Sequence, residues 1–139
     1  MRKLIALCCG LVLAFSAHAE RKQTFDGIDI HYNVINTTFL QPDIAQSVNI
    51  PRSKQLGMLL VSPVKNSVGK EAKKITGEVK NLLGQATKLD FKLIKEENAL
   101  YYLATFKKDS REQLVFTINL TFDEGKQDTI KFTQEVFPD

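Results

Sequence analysis

The stretch Leu114-Val115-Phe116-Thr117-Ile118-Asn119-Leu120-Thr121-Phe122 decides the fold. Leu114, Phe116, Ile118, Leu120 and Phe122 fall on one side of an extended chain, and Val115, Thr117, Asn119 and Thr121 fall on the other. A repeat of two is that of a strand, whose successive side chains point to opposite faces. β-Branched residues on both faces suit a pleated, covered surface, so this strand is expected to be central. Toward the C-terminus, Asp123-Glu124-Gly125-Lys126 supplies a turn with a glycine for positive φ, and Ile130, Phe132, Gln134 and Val136 resume the alternation. Residues 114–137 therefore read as a hairpin.

Working back from that hairpin, Ala99 to Phe106 is apolar on both faces, and Leu89, Phe91 and Leu93 alternate with Lys88, Asp90 and Lys92. Lys95-Glu96-Glu97-Asn98 separates the two runs, which gives a second hairpin with a solvated turn. Leu56 to Val64 and Ile75 to Leu83 are further strands, with Pro63 marking an edge or a bulge because proline lacks the ladder donor. Lys22 to Phe25 and Ile28 to Val34 flank Asp26-Gly27, a third hairpin with Ile28, Ile30, Tyr32 and Val34 inside. Pro42-Asp43-Ile44-Ala45-Gln46-Ser47-Val48 reads as helix, two turns at most, with proline and an acid at its start. Short strands at this spacing predict an all-β antiparallel sandwich with one short helical excursion, and a small antiparallel barrel is the competing arrangement.

The first nineteen residues belong to a different grammar. Met1-Arg2-Lys3, the apolar run Leu4 to Phe15 and Ser16-Ala17-His18-Ala19 predict an export signal cleaved after Ala19. The run is too short for the roughly 20 apolar residues of a membrane-spanning helix, so no stable membrane insertion is expected. The expected organisation is a signal peptide at 1–19 and a single β-sandwich domain at 20–139. Cleavage removes Cys8 and Cys9, and with them any disulfide or thiol chemistry. Leu7 before Cys8 is not the small residue that lipid attachment wants.

Cleavage also changes the charge. The chain carries 19 basic and 16 acidic side chains, a formal +3, and loss of Arg2 and Lys3 brings this to +1. A nearly neutral domain argues against nucleic acid or an anionic membrane as the partner. Lys65, Lys70, Lys73 and Lys74 cluster, but Glu71 and Gly69 among them indicate a solvated loop.

No constellation demands a particular chemistry. His31 is the one histidine of 20–139, and strand alternation places it between Asp29 and Asn33 on one face, where Asp29 could orient it as a base. Polar residues at alternate strand positions more simply face water. There is no nucleophile elbow around any serine, and with one histidine and Met58 there is no transition-metal set. Asp123-Glu124 and Asp128 lack the spacing of a calcium loop, and the scattered glycines form no phosphate cradle. No catalytic residue, cofactor or metal is therefore assigned.

The segment from Asn33 to Lys54 leaves strand periodicity for some twenty residues, long enough to be functional in so small a domain. It serves either as a binding loop or as a plug over an open edge or end, with Phe39, Leu40, Ile44 and Val48 as its apolar underside. Candidate binding residues are His31, Asn33, Asn36, Arg52 and Lys54.

His31-Tyr32-Asn33, Asn36-Thr37, Phe39-Leu40, Pro42, Arg52-Ser53-Lys54, Glu20-Arg21-Lys22 and Asn81-Leu82-Leu83-Gly84-Gln85 together resemble an uncharacterised family of small exported proteins of Gram-negative bacteria, classed as a domain of unknown function. The resemblance runs across the whole of 20–139. It implies a periplasmic address and a sandwich of immunoglobulin-like type, and it brings no activity or cofactor. The resulting expectation is a non-enzymatic periplasmic domain that binds an envelope protein or peptide through the 33–54 segment or an exposed sheet edge. The alternative is a small-ligand or envelope-glycan binder, less readily a hydrolase, with a pocket near His31 and Arg52.

Overall fold

The computed structural model describes residues 21–138, so the expected signal segment lies outside the described residues. In chain order the strands are β1 (Arg21–Phe25), β2 (Ile28–Asn36), β3 (Leu56–Lys65), β4 (Val68–Gly69), β5 (Lys74–Lys80), β6 (Ala86–Leu89), β7 (Lys92–Glu96), β8 (Ala99–Lys107), β9 (Glu112–Thr121) and β10 (Gln127–Val136). One helix, α1 (Pro42–Ser47), and 3-10 turns at Thr37–Phe39 and Asp123–Gly125 complete the described residues. Two antiparallel sheets result, one ordered β1-β2-β3-β8-β7 with β4 beside β3, the other β10-β9-β5-β6. This is the all-β, immunoglobulin-like sandwich with one short helix.

The strand that decides the fold is central in its sheet, paired with β10 from Thr121–Gln127 to Glu112–Val136 and with β5 on its other side. Its even-numbered face is the core. Phe116 stacks on Phe132 with centroids 5.1 Å apart and meets the Phe106 ring edge-on at 5.0 Å. Ile28 and Ile30 from β2 and Leu59 and Val61 from β3 close the core from the other sheet. Each such side chain, once enclosed, contributes about 1.5–3 kcal/mol relative to exposure.

The structure departs from several expected elements, and the strand expected to run from Ile75 to Leu83 ends at Lys80. The run 88–94 is not one strand. Its residues 88 and 89 end β6 in one sheet, Asp90-Phe91 cross between the sheets, and β7 opens in the other. Alternation survives the crossing, because Leu89 and Phe91 both pack on the core, so the pattern hides the change of sheet. Pro63 lies in an interior strand rather than on an edge, but β8 pairs with β3 only as far as Val61–Tyr102. The Pro63 carbonyl accepts the Lys70 N–H at 2.9 Å, so the missing proline donor falls on the side where the β8 ladder has already ended.

Residues 37–55 fold over the outer face of the β1–β3–β8 sheet and make a second, smaller core. Ile50, Met58 and Leu103 are buried there, with Leu40, Val48, Leu60, Ile94 and Tyr101 packed around them. The excursion thus plugs a sheet face, neither an edge nor an end. Its underside includes Leu40 and Val48 as expected, but Ala45 and Ile50 take the places assigned to Ile44 and Phe39, which are 46% and 71% exposed. Ala45 is the residue that α1 buries, and its neighbour Ile44, about 100° round the helix, turns toward solvent.

Candidate functional site

The two ends of the sandwich carry different structures. One end holds the tight turns at 26–27, 66–67, 97–98 and 123–125. The other holds the return of the excursion, the β5–β6 turn at 81–85, the β8–β9 connection at 108–111 and the chain after Val136.

At this second end the excursion is firmly tied. Thr37 is fully buried, its hydroxyl donates toward the Ser53 and Leu56 carbonyls at 2.9 and 3.1 Å, and it accepts the Ser53 N–H at 2.9 Å. Lys92 donates to the Val48 and Asn49 carbonyls at 3.1 and 2.7 Å, placing a cation where α1 leaves its last acceptors. Lys108, 2% exposed, donates to the Lys54 and Phe137 carbonyls, both at 2.9 Å, and so binds excursion, β8 and the last residues together.

Beside these ties opens a cleft of about 490 Å³ between the sheets. Leu56, Val79, Phe106 and Leu114 give it an apolar floor, and Thr87 and Glu112 stand on its rim. Phe106 can lie across β3 because its partner there is Gly57: a Cβ at that position would come within 2.4 Å of the ring. Around the same end, Phe39, Leu82, Leu83 and Phe137 are 71%, 75%, 86% and 58% exposed. The leucines are presented by an ordered turn, in which the Asn81 side-chain oxygen accepts the Leu83 and Gln85 N–H groups at 3.0 and 2.9 Å.

The expected site residues do not gather into one site. The Asp29 carboxylate accepts the Thr24 hydroxyl at 2.7 Å. His31 lies on β2 between Lys22 and Ser62, half-exposed on the outer sheet face. Asn33 caps the next residue, its side-chain oxygen accepting the Val34 N–H at 2.9 Å. Asn36 ends β2, and Arg52, exposed, donates to the Thr38 carbonyl at 3.0 Å. Lys54 contributes its carbonyl to Lys108. Asn36, Arg52 and Lys54 are therefore brought to the excursion end, whereas His31 lies five residues, roughly 17 Å of extended chain, from Asn36. Neither His31 nor Arg52 lines the cleft between the sheets.

Sequence reasoning missed the cleft and the leucine turn. The turn had a signal, Asn81 followed by Gly84, overridden by the apolar run before it. The cleft had none, since its floor comes from residues as far apart as Leu56 and Leu114.

The family described as Domain of unknown function (DUF4426) matches residues 22–139. The chain belongs to that family. A crystal structure of a DUF4426 family protein from Pseudomonas aeruginosa PAO1 is similar to it, with a TM-score of 0.79 and 41% identity over 88% of this chain and 98% of that one. Two solved structures of FetP from uropathogenic Escherichia coli strain F11 also match, a copper-bound variant with a TM-score of 0.62 and an as-isolated form at 0.58. Both are 12% identical and cover 86% and 85% of this DUF4426 chain and 96% and 93% of theirs, a likeness of fold. No curated protein matches the chain.

Proposed function

We propose that this DUF4426 protein is a non-enzymatic binding domain of the periplasm, which holds a protein or peptide partner at the excursion end of its sandwich. The observation that carries this reading is the gathering of Phe39, Leu82, Leu83 and Phe137, exposed and drawn from three separate segments, around one end. Large apolar side chains held out by ordered backbone mark interaction surfaces. The export pattern of residues 1–19 supports the address. The copper of the FetP variant is not carried over to this chain: Met58 is fully enclosed, and among the described residues no three His, Cys, Asp or Glu side chains gather.

In-cell photo-crosslinking tests it. A crosslinking residue placed singly at Leu82, Leu83 and Phe137 should trap discrete envelope adducts, and one at Val68, exposed at the opposite end, should not. Equal or absent adducts at both ends would sink the reading.

A further inference from the structure

The position where β7 begins leaves the opposite side of β8 incomplete. The Lys108 N–H donates to the Gln55 carbonyl at 2.8 Å, so the backbone groups of residue 108 face β3. Backbone groups alternate sides along a strand, so Phe106 and Ala104 also face β3, while Thr105 and Lys107 turn their N–H and C=O groups the other way. On that side β7 pairs from Lys92–Leu103 to Glu96–Ala99 and runs away from them. The cause is the sheet crossing at Asp90-Phe91: the preceding residues are spent on β6, in the other sheet, and nothing extends β7 toward Lys107. Among the described residues, no partner takes the Thr105 or Lys107 backbone groups. The unpaired edge borders the apolar-floored cleft, which both residues help to line.

We propose that this edge is a strand-addition site for an extended peptide segment of a partner protein. The proposal rests on the binding reading above and gives it a site and a chemistry. An incoming strand continues the line of β7 on the same partner strand, so the interface it makes prolongs one already present. Spanning Ala104 to Lys107 takes about four residues, roughly 13 Å. Its residue opposite Phe106 points between the sheets, over Val79, Phe106 and Leu114, and calls for a large apolar side chain. Its residue opposite Thr105 points outward, along the line of Lys92 and diagonal to the exposed Lys107, and calls for an acid. The occupant is thus an extended segment with an acidic and an apolar residue at adjacent positions. Leu82 and Leu83, beside the rim residue Gln85, extend the apolar contact beyond the cleft.

The test uses the protein at 20–139 and a displayed library of random nonapeptides, followed by synthetic peptides from the enriched pool. Thr105→Pro removes an N–H that bonds to nothing in the sheet, so the fold tolerates it while strand addition does not. Thr87→Trp fills the cleft from an exposed rim position and leaves the edge backbone intact. The expected result is enrichment of adjacent acidic and apolar residues, at least tenfold weaker binding by each variant, and slowed amide exchange at Thr105 and Lys107 in wild type with peptide. Undiminished binding to Thr105→Pro, or protection that spares Thr105 and Lys107, would overturn the β8 site while leaving the binding reading in place. No enrichment overturns strand addition, and if the Leu82 crosslinks are also absent the binding reading falls with it.

Discussion

The turn end and the excursion end of the same sandwich solve the same problem differently. At the turn end Lys126 meets Asp26 at 2.9 Å and Lys70 meets Asp123 at 2.6 Å, so each loop's charge is answered by a neighbouring loop. The buried Tyr102 hydroxyl accepts the Ala72 N–H at 2.9 Å, and burial pushes its pKa up. Positive φ at Asp26 and Gly27, and at Asn66 and Ser67, gives the mirror-image turns that follow strand twist. The excursion end instead buries a lysine, folds a second core over one sheet face and leaves four large apolar side chains in water. Exposed ion pairs contribute about 0–1 kcal/mol each, so the contrast is less one of stability than of unanswered surface. The turn end pairs these charges within the chain, and the excursion end leaves large apolar side chains exposed.

The largest effect expected on this contrast comes from Ile50→Ala in the second core. Losing a buried isoleucine should cost about 3 kcal/mol, read by denaturant unfolding. If the cover is a separate cooperative unit, exchange of the Ala45 and Ile50 amides, bonded to Gln41 and Ala45 at 2.9 Å, accelerates more than that of Phe116. Equal acceleration would make cover and sandwich one unit. Lys108→Met comes next, at about 2 kcal/mol, because it deprives the Lys54 and Phe137 carbonyls of a charged donor while keeping the stem's packing. An unchanged unfolding midpoint would show that the lysine does not fasten this end. Smaller still in stability, within about 0.5 kcal/mol, is the pair Leu82→Ser and Leu83→Ser, whose side chains are in water. That variant should lose its crosslinked partners at unchanged midpoint, and retention of them would detach the leucine turn from the binding surface.

The sequence made most of the sandwich readable because each strand buries one face. At 114–122 and 28–34 a two-residue period has a single physical solution, and the structure adopts it. Where that period continues through a change of sheet, as at Asp90-Phe91, the same signal is blind. In the excursion the phase of a six-residue helix follows Ala45 and not the larger Ile44, so residue size misleads. The candidate site was least legible. An unpaired edge at Thr105 and Lys107 is the absence of a neighbour, set by where β7 begins, and no residue type encodes it.

The smallest effect should come from pH, and it should come from the turn end. Lys126 holds the Asp26 carboxyl below its usual range by hydrogen bond and charge, and Lys70 does the same for Asp123. A carboxyl depressed in the folded state binds its proton more weakly there than in the unfolded chain. Its contribution to stability is therefore fully present above the unfolded value near 3.8 and is lost as pH falls through the folded value. Both groups are exposed, so the effect is small and shrinks with added salt. Asp26→Asn combined with Asp123→Asn should lower the unfolding midpoint slightly at neutral pH, and the difference from wild type should close in strong acid. A difference that stayed constant with pH and salt would mean that the two carboxylates act through turn geometry, and that charge does not distinguish this end.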